Sequence, residues 1–411
     1  MAGLCTLSTD PPTAVALEFL SDASSVPRTV DLPARPAHTV EIPVLTADTV
    51  WSWTATPKDR PDEALSGAFS TSDAPADLPL YATVSGEPVA PYVLISAACE
   101  DDAWSVVFDA NTGEPAWAQR AGAGQPDNVR LTPDDTVLTL TEDRLTEHDL
   151  QGALLLDLPM GPDGVGLITH HDAATWGDWV YVLYTDIGDG EGRPLHDGVL
   201  VLDRAGEIVG DLFLPDIVDF PLDVAGDYSH ANAVSPTGDG DVLVSLRHQQ
   251  AVLRIAADPD SGEFGQLRWQ LIGSLSPVHT DLESDFELRG ADGSYEVFRG
   301  QHDANLLPDG RLTLFDNGFT PEDGTRGIDI ALDPKSHTAT VERVYTLDPF
   351  CSFQGGSQYT ANGGRLLTCG PTKTVYGFAP GVPGASTWSM TVGCNVGSGP
   401  PYLGRSEPVE L

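Results

Sequence analysis

The sequence predicts an all-β chain, a six-bladed β-propeller behind a small N-terminal β-sandwich. Three observations carry this. Helical periodicity is almost absent after about residue 88, where short apolar-alternating runs lie between Gly, Asp, Asn and Pro turns. One strand–turn–strand phrase recurs along the chain. The first 85 residues lack that phrase and read instead as alternating segments separated by proline-rich turns.

The N-terminal unit, residues 1–85, offers Thr29–Leu32, His38–Val44 and Thr49–Trp53 as strands of a small antiparallel sandwich. The stretch Ser70–Pro79, rich in Ser, Asp, Ala and Pro, is its linker or final loop. The rest, 86–411, holds the repeats. The clearest copy runs from Gln301 to Phe315: a strand, a Pro308-Asp309-Gly310 turn and a second strand. Relatives begin at Asn128, His170, Ser229 and Gln358, with a degenerate first copy around Tyr92–Ile95. A further strand pair follows each hairpin, as in Val199–Val209. Four short strands per unit and six units make a propeller, with a β-helix or two sandwiches as the competing arrangements.

With 411 residues and 41% hydrophobic composition, the chain has the material for a large packed core. Asp and Glu number 61 against 21 Lys and Arg, a formal charge of −40. Such a field repels nucleic acid and anionic membrane surfaces. An anionic small molecule would need a locally positive pocket, so the few cationic residues are informative. The five cysteines form no C-x-x-C pair; up to two disulfides leave one thiol over. No apolar run is long enough for a membrane span, and no hydrophobic signal core precedes residue 20. Cys5 is a candidate for lipid attachment, although Ala2-Gly3-Leu4 suits that signal poorly.

Residues at one phase of each propeller repeat converge on the central channel. His302 and His230 each precede a turn proline, Pro308 and Pro236, by six residues, and His171 precedes Gly177 by six. Three successive repeats thus carry a histidine at one phase. Asp127 holds it in the second repeat and Gly356 in the sixth. His170 stands beside the trio. Arg247 ends the second strand of its repeat and is the counterpart of Asn317. An arginine aimed at the channel of so acidic a protein suits a bound sulfate or phosphate. Taken singly, each histidine is an ordinary surface or core residue and Arg247 a salt-bridge partner. Three histidines also suit a metal, but no Cys or Glu shares the phase and an arginine would crowd the ion, so no metal and no cofactor are expected. The acidic loops Asp186–Asp197 and Thr237–Asp241 lack the regular spacing of a calcium loop.

Gln301-His302-Asp303-Ala304 with Phe315-Asp316-Asn317-Gly318, His230-x-Asn232-x-Val234, Ser245-x-Arg247-His248 and Trp269-x-Leu271-x-Gly273 together resemble the bacterial arylsulfate sulfotransferase family. The likeness runs from about residue 90 to 380. The resemblance implies a six-bladed propeller behind a small β-domain. It also implies ping-pong transfer of a sulfuryl group from an aryl sulfate to a phenol, without a nucleotide sulfate donor such as PAPS. The position matching His302 becomes a sulfohistidine. Those matching His230, Arg247 and the His170–His171 pair stabilise the oxygens and the leaving phenolate, with His171 favoured by phase. Asn232 and Asn317 fall at substrate-binding positions. The implied partners are small-molecule aryl sulfates and phenols, in a periplasmic or secreted protein; self-association is compatible with this. Some periplasmic members carry a cysteine pair just upstream of the nucleophile, whereas none lies between Cys99 and Cys351 here. The alternatives are a sulfatase-like hydrolase or a lyase on the same propeller, or a non-catalytic extracellular binding propeller.

Overall fold

In the propeller part, strands are buried on both faces, which is why they read as near-continuous apolar runs such as Tyr92–Ile95 and Val242–Val244. The computed structural model describes residues 3–22, 27–42, 44–100, 102–161, 164–186, 194–219, 226–274, 282–395 and 401–410. Within them six sheets follow one another along the chain, each built on four antiparallel strands in meander order, and two of them carry a further short parallel strand. Blade 2 starts with Pro126–Leu131, blade 3 with Ile168–Trp176, blade 4 with Ala231–Pro236, blade 5 with His302–Leu306 and blade 6 with Gly356–Tyr359. Blade 1 is closed by the C-terminal strand Tyr402–Val409, which pairs with Tyr92–Cys99.

The core is divided among the six interfaces between neighbouring sheets. Tyr92, Leu94 and Trp117 of blade 1 meet Val129 and Val137 of blade 2. Leu138 and Leu140 meet Val180 and Val182 of blade 3. Leu183 and Val199 meet Val244 and Leu253 of blade 4. Leu243 and Val252 meet Leu314 and Ile328 of blade 5. Phe315 and Tyr345 meet Leu367 and Phe378 of blade 6. Leu366 and Val375 then meet Ile95 and Phe108 of blade 1, completing the ring. A disulfide, Cys99–Cys394, spans this last junction. A second, Cys351–Cys369, ties the approach to blade 6 to its second strand. Cys5 is the thiol left over.

The N-terminal unit departs from the expected sandwich. Among the described residues it is a single four-stranded sheet, ordered Arg28–Ile42, Gly3–Ser21, Val50–Pro57, Leu65–Ser70. Gly3–Ser21 is long enough to pair with two partners, and register shifts between Ser8 and Val15 absorb the Pro11-Pro12 step that disguises it in the sequence. Its apolar face, with Val15, Leu17, Phe19 and Trp51, is closed by Leu45 from the connector rather than by another sheet. That connector docks on blade 1, where Thr46 Oγ1 donates to Asp109 Oδ2 at 2.9 Å. The boundary also falls earlier than residue 85. Leu80–Gly86 pairs with Trp388–Cys394 as a fifth strand of blade 6, so it belongs to the propeller. The degenerate first repeat at Tyr92 is explained in the same way: it is the second strand of blade 1, whose innermost strand arrives from the C-terminus.

Candidate functional site

The innermost strands carry the site, and their irregularities aim it. A regular strand sends successive side chains to opposite faces. Register shifts interrupt the pairing at Thr169/Ala173, Ala231/Ala233, His302/Asn305 and Leu403/Ser406. These release His170–Asp172, Asn232, Asp303 and Arg405 from the alternation. His171, His230, Asp303 and Gln354 also hold positive φ, at 58°, 47°, 52° and 53°. Non-glycine residues adopt that region at a cost of about 1–3 kcal/mol each, and such strain clusters where side chains must be held for function.

The in-phase histidines do converge. The rings of His171 and His230 lie 5.0 Å apart, and His230 stacks on His248 at 4.4 Å. His171, Asn232 and His302 line a small cavity together with Asp127, Gln354 and Arg405. The second-repeat phase residue Asp127 is therefore at the site, and the sixth repeat contributes Gly355, one residue before the expected Gly356.

His302 is held in one tautomer. Asn317 donates both amide hydrogens to backbone carbonyls, Cys351 O at 2.8 Å and Gln354 O at 2.7 Å. Its Oδ1 is left facing His302 Nδ1 at 2.7 Å, and Gly300 O also lies 3.1 Å from that nitrogen. Both neighbours only accept, so Nδ1 carries the hydrogen and the lone pair resides on Nε2. Burial pushes the His302 pKa down to about 3, against the Asn317 hydrogen bond and with help from Arg247 and Arg405. The ring is thus neutral across ordinary pH. Asn317 is fully buried, which corrects its expected place among substrate contacts: it orients the imidazole. Asn232 is at the cavity wall, donating to Gln301 O at 2.7 Å while its Oδ1 is buried without a partner among the described residues.

His170 and His171 separate in role. His171 lines the cavity, and burial with three neighbouring imidazoles holds its pKa well below the usual range. His170 lies behind it, with Nδ1 to Nδ1 at 2.7 Å and its Nε2 turned to Thr185 Oγ1 at 2.6 Å. The expectation that His170 is itself a catalytic contact gives way to a supporting one.

Arg247 forms no ion pair with a carboxylate among the described residues, although the charge of Asp227 acts on it. Its guanidinium donates to Ser352 O at 3.3 Å and to His248 Nε2 at 3.1 Å. His248 in turn donates from Nδ1 to Asp227 O at 2.8 Å, and the Asp227 carboxylate pairs with His230 Nδ1. The ligating atoms of Asp227, His230 and His248 all lie within 4.8 Å of one another. Both His248 nitrogens are nevertheless engaged, one by a guanidinium, which suits an anion site better than a cation site. At the Thr237–Asp241 loop, Asp239 and Asp241 are taken up by Arg254 and Arg268. Residues 187–193 of the other acidic loop lie outside the described residues.

Arg405, at the cavity wall, leads from the histidines into a set of buried ion pairs. Arg405 donates to Asp172 at 2.8 Å, Asp303 at 3.3 Å and Asn232 O at 2.6 Å. Asp172 also receives Arg130 at 2.7 Å and the Val234 amide at 2.9 Å. Burial alone would raise the Asp172 pKa, but Arg130 and Arg405 hold it below its usual value. Arg405 escapes a reading of the repeats because it holds the blade 1 phase from the far end of the chain. The faint signal for it was the first repeat's missing innermost strand.

Residues 222–379 match the arylsulfotransferase (ASST) family model. The match supports an arylsulfotransferase family assignment for this segment. The segment contains His230, Asn232, Arg247, His302 and Asn317, whereas His170, His171 and Arg405 lie outside the matched stretch. No curated protein matches the chain. Among solved structures, the chain is similar to a protein of unknown function from Bacteroides caccae, at 13% identity over 78% of this chain and 100% of that one, with a TM-score of 0.51. It is also similar to virginiamycin B lyase from Staphylococcus aureus, in a catalytically inactive form with quinupristin, at 8% identity over 76% and 99% of the two chains and a TM-score of 0.39. The WD40 β-propeller domain of Doa1 aligns at 9% identity over 95% and 96%, with a TM-score of 0.43. At 13% identity the first likeness is one of fold.

Proposed function

We propose that the chain is a ping-pong arylsulfate sulfotransferase acting through a sulfohistidine at His302. The observation that carries the reading is the Asn317-fixed tautomer, which leaves a neutral imidazole with its Nε2 lone pair at a cavity lined by a second histidine. Nε2 attacks the sulfur of an aryl sulfate as the S–O bond to the phenol breaks, giving an N–S bond and a phenolate. Nδ1 keeps its hydrogen, and Asn317 Oδ1 stabilises the positive charge the ring acquires. A phenol that has lost its proton then attacks sulfur, and the N–S pair returns to the ring. Sulfuryl transfer resembles phosphoryl transfer in its loose transition state, so fixed charges near the oxygens do most of the catalytic work. Arg247, which forms no carboxylate ion pair among the described residues, together with His230 and His171, meets the sulfuryl oxygens and the departing phenolate in this scheme. Asn232 offers a substrate contact. Two disulfides favour a periplasmic or secreted setting, with Cys5 available for a lipid.

The test is p-nitrophenyl sulfate with a panel of phenols. Phenol-dependent p-nitrophenol release with matching aryl sulfate formation is expected. Release that ignores every phenol and yields free sulfate would replace the transferase by a hydrolase.

A further inference from the structure

One buried carboxylate joins two of the site's histidine segments. Asp197, in the third strand of blade 3, is 1% exposed. Its Oδ1 accepts the Thr185 hydroxyl at 2.7 Å and lies 3.3 Å from His170 Nε2. Its Oδ2 accepts Ser229 Oγ and the Ala231 amide, both at 2.6 Å, and these two residues flank His230. Asp197 thus anchors the blade 3 pair and the blade 4 histidine together.

The hydrogen count along this chain is constrained. Thr185 has one hydroxyl hydrogen and directs it at Asp197, so its oxygen accepts from His170 Nε2, which must be protonated. One hydrogen then bridges His170 Nδ1 and His171 Nδ1. When it sits on His171, that ring offers a lone pair at Nε2. When it sits on His170, His170 is an imidazolium beside Asp197, and neutral His171 presents Nε2–H.

We propose that Asp197, acting through Thr185 and His170, is a positioning residue that makes His171 the proton shuttle between leaving phenolate and acceptor phenol. The proposal rests on the sulfuryl-transfer reading. In the first half-reaction His171 Nε2–H protonates the phenolate as the bridging hydrogen moves from His170 to His171. In the second, the acceptor phenol gives its proton to His171 Nε2 and the bridging hydrogen moves back. The protons balance over one cycle, and the positive charge rests on His170 against a carboxylate instead of in the cavity. The groups facing this pair are Asp127 from blade 2, Asp197 from blade 3, His230 from blade 4, His302 from blade 5 and Arg405 from blade 1.

Leaving-group dependence separates this role from simple support. A p-nitrophenolate departs without a proton, whereas phenolate from phenyl sulfate needs one. Single-turnover release from both donors is compared for the full chain, Thr185→Val, Thr185→Ser and Asp197→Asn, with thermal unfolding as the fold control. For Thr185→Val, the loss with phenyl sulfate should exceed the loss with p-nitrophenyl sulfate by about tenfold or more, as befits loss of general acid help. Thr185→Ser should restore the ratio. Equal losses for both donors in folded Thr185→Val would overturn the relay while leaving the nucleophile intact. Release absent from the unaltered chain with either donor would instead sink the sulfuryl-transfer reading itself.

Discussion

The upper and lower parts of the propeller channel are built from similar residues to opposite effect. In the lower part the arginines are answered by carboxylates, Arg405 by Asp172 and Asp303 and Arg130 by Asp172, and the Asp303 carboxylate also accepts the Ser357 amide at 2.6 Å. In the upper part, Arg247 forms no carboxylate ion pair, and among the described residues the hydrogen bonds of His171 and His302 engage Nδ1 and leave Nε2 to the cavity. Removing a charge from a saturated network strands its partners in low dielectric, whereas an unanswered cation is available to a ligand. The lower channel is scaffold and the upper channel is reagent.

Substitutions should expose that division. The largest effect is expected at the support of the reagent. Asn317→Ala removes the acceptor that fixes the His302 tautomer and should lower kcat/KM by about 10³–10⁴-fold, as wrong-tautomer variants of other histidine sites do. A loss under tenfold would mean that Gly300 O alone suffices. Arg247→Met should lower kcat/KM by about 10²–10³-fold with the urea midpoint unchanged. Arg405→Met should do the reverse in kind, destabilising the fold by about 3–5 kcal/mol in urea titration by leaving Asp172 and Asp303 unpaired. If Arg405→Met kept full stability and lost only activity, the two halves of the channel would not differ as described. The smallest effect concerns pH. Protonation disables the nucleophile only below its folded pKa of about 3. Single-turnover release from p-nitrophenyl sulfate should therefore vary less than about threefold between about pH 5 and pH 8. A fall centred near the free imidazole value of ~6.5 would show that His302 is not held neutral by burial.

The upper channel was largely legible in the sequence and the lower one was not. His171, His230 and His302 share a repeat phase, and an innermost strand turns phase into position. Arg405 shares that position without sharing the count, because the C-terminal strand closes blade 1. Asp197 and Thr185 sit opposite each other on neighbouring strands of blade 3, a relation set by register rather than by spacing along the chain. Asn317 was found by its equivalence to Arg247 but assigned to substrate, since its burial follows from how Cys351 and Gln354 fold over it. At the N-terminus, the strand Gly3–Ser21 was hidden by Pro11-Pro12, which propensity reads as a break and the sheet accommodates as an irregularity.

Sulfuryl transfer through His302 requires a covalent intermediate at one nitrogen. The protein is mixed with an aryl sulfate in the absence of any phenol acceptor, quenched under alkaline conditions, digested and examined by mass spectrometry. A sulfuryl group on the peptide containing His302, removed by adding phenol and absent in His302→Ala, is the predicted result. Undiminished phenol-dependent turnover in His302→Ala, or a label on another residue, would contradict it.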